Sequence, residues 1–183
     1  MSSYYYLLSS LPMLKADGEL PFSYDAFLRQ CRGNVSEERC RMLEELTLAS
    51  SEGPLVAQWA KFYGVLHEEL TYQRKARLGT PCQAPAIREE AAIRTVTAAM
   101  NEKNPLEAEK MLLTLQFEKL DELVNLHYFD ECALVGYALK LKLLERKTVF
   151  RQDKGRAEFN RITDGLQKQI INMEYEMESE WEL

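Results

Sequence analysis

Leucine outnumbers valine and isoleucine together by 27 to 12, and no stretch of the chain alternates apolar and polar residues for long. Strands favour β-branched side chains on a period of two, whereas unbranched leucine loses little freedom in a helix. That imbalance narrows the fold more than any single motif. Alanine (16), glutamate (23) and Lys+Arg (23) bring the strong helix formers, leucine included, to nearly half of the 183 residues, a composition typical of long helices. The eight glycines never fall next to one another. All-β, collagen-like and disordered classes are therefore disfavoured. The expectation is one all-α domain spanning residues 1–183, a bundle of about six or seven helices, with a possible internal boundary near 80–85.

Helix punctuation divides the chain. Residues 4–14, rich in tyrosine and closed by Pro12, read as a short extended segment. Ser23 is placed to cap a short helix carrying Tyr24, Phe27 and Leu28, which ends at Gly33. Ser36 caps a second helix running to about residue 49. Pro54 opens a third, where its missing N–H costs nothing, and Gly79 stops it. Residues 80–85, bracketed by Pro81 and Pro85, form the linker. A fourth helix is expected over 86–100. Asn104, Pro105 and Glu107 start a fifth, with Glu107 expected to reach back to the cap. Asp130 caps a sixth, running to about 151, and a last helix is expected over 157–178. Helical spacing assigns Leu46, Trp59, Phe62, Leu66, Leu112, Leu115, Leu123, Leu134, Tyr137, Leu141 and Leu144 to the core. A weak echo links residues 43–46, Gly64 and Arg74-Lys75 to residues 120–123, Gly136 and Arg146-Lys147, as a duplicated helical hairpin would.

Catalytic signatures are missing from the sequence. No glycine cluster offers the phosphate cradle of a P-loop or a dinucleotide fold, and there is no nucleophile elbow. A di-iron bundle needs Glu-x-x-His pairs, but Gly64 and Val124 precede His67 and His127 by three residues. Nothing in the sequence brings a thiol to either histidine. Cys31, Cys40, Cys82 and Cys132 form no C-x-x-C pair and read as reduced, small apolar side chains. No catalytic, cofactor or metal residue is assigned, and the chain is expected to be non-enzymatic.

A net charge of −6 argues against nonspecific nucleic-acid binding as the main role. The charge is unevenly spread. Residues 140–161 hold eight bases and three acids, and residues 174–183 hold five glutamates and no base. Lys140, Lys147 and Arg151 share a helical stripe and, with Lys154, are the candidate partner-binding residues. The opening lacks a positively charged signal region, and no apolar run approaches the ~20 residues a membrane span needs. A cytoplasmic location is expected, with at most peripheral membrane association through a complex.

Tyr4-Tyr5-Tyr6-Leu7 with Ser9-Ser10-Leu11-Pro12, then Asn104-Pro105, Glu107, Glu109, Tyr128-Phe129-Asp130, residues 137–141, Glu145-Arg146, Gly155 and Phe159, resemble an uncharacterised bacterial family encoded alongside V-type ATPase subunits. The resemblance implies a non-catalytic soluble subunit, or an assembly or coupling factor, of a rotary ATPase. By a more distant analogy it implies a role like that of the central-stalk C/d subunit, contacting the rotor shaft or membrane ring. The alternative expectation is a helical adaptor that binds nucleic acid or another anionic partner through residues 140–161.

Overall fold

The computed structural model describes residues 4–149 and 155–167. Among these the chain is all-α, with α1 Tyr5–Ser10, α2 Tyr24–Cys31, α3 Glu37–Glu45, α4 Pro54–Arg77, α5 Glu90–Asn101, α6 Pro105–Val124 and α7 Glu131–Val149, followed by α8 over 155–167. The chain divides into two compact units, residues 1–145 and 146–183. The expected boundary at 80–85 falls inside the first unit, where the helices on either side of it, α4 and α5, pack on each other.

The helix starts are written in the caps. Ser23 Oγ accepts from the Ala26 amide at 3.3 Å and Ser36 Oγ from the Arg39 amide at 3.4 Å. Pro54 opens α4 after Gly53, whose φ of 95° suits only glycine well, and Gly79 turns the chain away at φ 68°. Asn104 caps α6 through the Leu106 amide. Glu107 does not reach back, as it pairs with Lys110, and Glu102 Oε1 takes the Asn104 amide instead. The second expected helix, α3, stops at Glu45 rather than near 49, since Thr47 and Ser50 close a turn between themselves. The fourth, α5, begins at Glu90 rather than 86.

The opening segment corrects the sequence reading. Residues 5–10 are helical, and Tyr4 and Leu7 are buried while Leu8 and Leu11 pack against the core. The i, i+3, i+4, i+7 spacing of these four side chains carries the helix, and the extended Leu11 before Pro12 ends it.

In the first unit α4, α5 and α6 pack pairwise. Trp59, fully buried, donates from Nε1 to the Leu48 carbonyl at 2.9 Å and lies against Phe62 and Tyr63. Of the eleven expected core residues, nine are buried, and Leu123 and Tyr137 are half-buried. The two glycines of the sequence echo occupy unlike surroundings. Gly64 faces open space, but a Cβ on the buried Gly136 would stand 2.4 Å from Val124 Cγ1. Gly136 thus lets α7 approach the end of α6, a service that Gly64 does not perform.

One charge is deeply buried. Glu69 is 1% exposed, and Arg88 grips both of its carboxylate oxygens, at 2.7 and 2.8 Å. Gln73 donates to Glu69 as well, and the Arg88 guanidinium lies over the Tyr72 ring. The Arg88 hydrogen bonds hold the Glu69 carboxyl below its ordinary pKa, against burial and with help from Gln73. This clamp fastens the proline-bracketed connection to α4.

In the second unit, α8 turns Phe159, Ile162 and Leu166 outward at helical spacing, and Arg161 is paired with Glu158. The expected continuation to 178 and the acidic stretch 174–183 lie outside the described residues.

Candidate functional site

The most distinctive surface of the first unit lies where α1 meets the turn between α6 and α7. The Tyr4 amide donates to the Phe129 carbonyl at 2.9 Å, and the Tyr5 ring packs on Phe129 with centroids 4.6 Å apart. Tyr5 in turn meets Tyr6 edge-on. Inward-pointing Tyr4 and Leu7 anchor α1, so the side chains between them are left outside. Tyr6 is 85% exposed, Leu126 84% and Tyr128 72%. Tyr5 and Phe129 are also exposed. Clustered exposed aromatics are uncommon on a free monomer surface and are enriched where proteins meet.

The same turn gathers three titratable side chains. Asp130 stands before α7, accepting the Ala133 amide at 3.0 Å through Oδ1, and its Oδ2 is hydrogen-bonded to His127 Nδ1. Burial acts to raise the Asp130 pKa, but the Ala133 and Cys132 amides and His127 outweigh it and leave the group below its ordinary value. Cys132 completes the group, and one ligand-type atom from each of the three residues lies within 4.8 Å of the others. Burial, and then the Asp130 and Glu131 charges, push the Cys132 thiol up. Arg39 of α3 pairs with Glu131 and ties the start of α7 to the rest of the unit.

In the sequence His127 reads as a turn residue with no thiol expected beside it. The structure brings Cys132 there because the cap turns the chain through one helical step. The His-x-x-Asp-x-Cys spacing was the available signal. His67 and Cys82 also reach a common feature, an open groove of about 420 Å³ between α4 and residues 81–85. Its Cys82 thiol donates to the Tyr72 carbonyl at 3.8 Å.

The basic stripe fares differently. Lys140 is drawn into the fold, its side chain 13% exposed, with Nζ on Asp121 and near the Phe117 ring. It is not a free docking charge. The neighbouring Lys142 lies 3.6 Å from the Tyr24 ring centroid, and burial lowers its pKa against the Glu145 and Asp25 charges. Lys147 is half-buried on α7. Arg151 and Lys154 lie outside the described residues. The four cysteines are free thiols, with Cys31 buried and pushed by burial, and then by Cys40, to a pKa of about 12.

Residues 89–170, which include α5, α6, α7 and the His127 turn, match the family model described as a protein of unknown function, DUF2764. No curated protein and no solved structure matches the chain. No helix among the described residues is long and apolar enough to cross a membrane.

Proposed function

We propose that the chain is a non-catalytic docking subunit of a bacterial V-type ATPase, acting in assembly or coupling in a central-stalk-like role. The observation that carries docking is the exposed aromatic corner of Tyr5, Tyr6, Leu126, Tyr128 and Phe129. The choice of partner rests on the sequence resemblance, several of whose residues (Tyr4, Tyr5, Tyr6, Tyr128 and Phe129) build that same corner. Rigid aromatic anchors dominate interface energetics because they bury much area at small entropic cost.

A subunit that transmits position needs a stiff body behind its contact surface. The interlocked α4, α5 and α6 supply one, and Tyr4 and Leu7 fasten the corner to the core. Rim charges then tune encounter rate and salt sensitivity more than affinity. Lys140 and Lys142 are already engaged within the chain, so the aromatic corner rather than these bases is the better-supported contact surface.

Purified V-type ATPase from the host, stripped of this chain, tests the proposal. Added wild-type chain is expected to bind it, and the double variant Tyr6→Ser, Tyr128→Ser is expected to bind at least ~10-fold more weakly while remaining folded. Equal binding by both, or binding by neither, contradicts it.

A further inference from the structure

We infer that His127, Asp130 and Cys132 form a binding site for a zinc-class divalent cation at the start of α7. Three chemically different donors, an imidazole nitrogen, a carboxylate oxygen and a thiol sulfur, converge within 4.8 Å from six consecutive residues. The mixture of thiol and imidazole selects a borderline-soft ion and disfavours magnesium and calcium, which prefer all-oxygen shells. Three protein ligands leave one position of a tetrahedron for water.

The local structure supports the donors. Asp130 Oδ1 is held by the Ala133 amide, which leaves Oδ2 facing His127 and steadies the carboxylate from behind. Among the described residues no hydrogen bond ties down the Cys132 thiol. Its surroundings carry the Asp130 and Glu131 charges, a field that welcomes a cation. The N-terminus of α7 opposes this with about half a positive charge. The two formal negative charges supplied by Asp130 and the ionised Cys132 exceed it, and Glu131 adds a third that is partly spent on Arg39.

Binding needs small adjustments. The hydrogen bond between His127 and Asp130 opens, because two ligands of one ion stand farther apart than hydrogen-bonded partners. The imidazole binds as the neutral ring, its proton on the other nitrogen, and the thiol proton passes to solvent. The ion would close the turn that presents Tyr128 and Phe129. Metal uptake by the isolated chain requires no docking partner.

The test is cobalt(II) titration of the reduced, chelator-treated full-length chain, read by absorbance. Uptake of one equivalent is expected, with a sulfur-to-cobalt charge-transfer band and the visible bands of a tetrahedral ion, both bleached by added zinc. Cys132→Ser is expected to abolish the charge-transfer band, and His127→Gln and Asp130→Asn each to weaken binding by ~10-fold or more. Cys40→Ser and Cys82→Ser should leave the band intact. Circular dichroism verifies that each variant is folded. Absence of the band in the wild-type chain, its survival in Cys132→Ser, or affinity unmoved by His127→Gln overturns the inference.

Discussion

The α4–α5–α6 body and the α1 corner are built from the same kinds of side chain but spend them differently. In the body, Trp59 is fully buried and its one polar atom is satisfied by the Leu48 carbonyl. Even the charged Glu69 has its oxygens met by Arg88 and Gln73. At the corner, Tyr6, Leu126 and Tyr128 remain in water, while His127, Asp130 and Cys132 share a partly open turn. Burying apolar area is worth about 25 cal/mol per Å². A fold that leaves several large apolar side chains outside on one corner forgoes that gain there. The body therefore explains stability, and the corner is where a partner would recover the apolar burial.

The sharpest way to break this contrast is Trp59→Ala, which should cost about 3–5 kcal/mol in urea unfolding, because it opens a cavity that the helices cannot fill. A loss below 1 kcal/mol would mean that the body is not tightly packed.

The Glu69 clamp gives an ordering. Arg88→Ala should destabilise more than Glu69→Leu, since the first leaves a carboxylate buried and unpaired, while the second removes the charge itself. The pH dependence follows from the lowered Glu69 pKa. The contribution of the clamp is fully present above the unfolded carboxyl value of about 4.3 and is lost as pH falls through the folded value. Acid unfolding monitored by circular dichroism should therefore be less steep in Glu69→Leu than in the wild type. An unchanged profile would show that the clamp does not couple to acid unfolding.

The two glycines sharpen the comparison further. Gly136→Ala pushes a methyl into Val124 and should cost ~1–3 kcal/mol. Gly64→Ala, on an exposed helix face, should gain ~0.5–1 kcal/mol by improved helix propensity. Equal effects at the two sites would favour the duplicated hairpin over the packing described.

Most of this fold was legible in the sequence because its punctuation is local. Ser23, Ser36, Pro54, Gly79 and Asn104-Pro105 each act within one turn of the chain, and each marks an observed helix end. What was missed depends on distant contacts or on competition. The tyrosine run and Pro12 concealed the helical spacing of Tyr4, Leu7, Leu8 and Leu11, whose burial comes from the rest of the core. Glu107 had two possible partners, and Lys110, one helical turn away, took it. Lys140 lay on the expected stripe, but Asp121 on α6 claims it, a contact that no local pattern shows. The His127, Asp130 and Cys132 cluster was readable as a spacing, yet only the cap geometry turns the spacing into proximity.

The smallest stability change is expected at the corner. Tyr6→Ser with Tyr128→Ser should shift folding stability by no more than about 0.5 kcal/mol for each exposed site. A larger loss in urea unfolding would assign these side chains to the fold rather than to a partner.

Deleting the gene in the host and assaying the membranes for ATP hydrolysis and ion pumping together tests the central claim most directly. The account predicts catalytic heads that still hydrolyse ATP while pumping is lost or the complex falls apart, with recovery by the wild-type chain but not by Tyr6→Ser, Tyr128→Ser. Unchanged pumping after deletion, with an intact ATPase that purifies from the wild-type host without this chain, would contradict it.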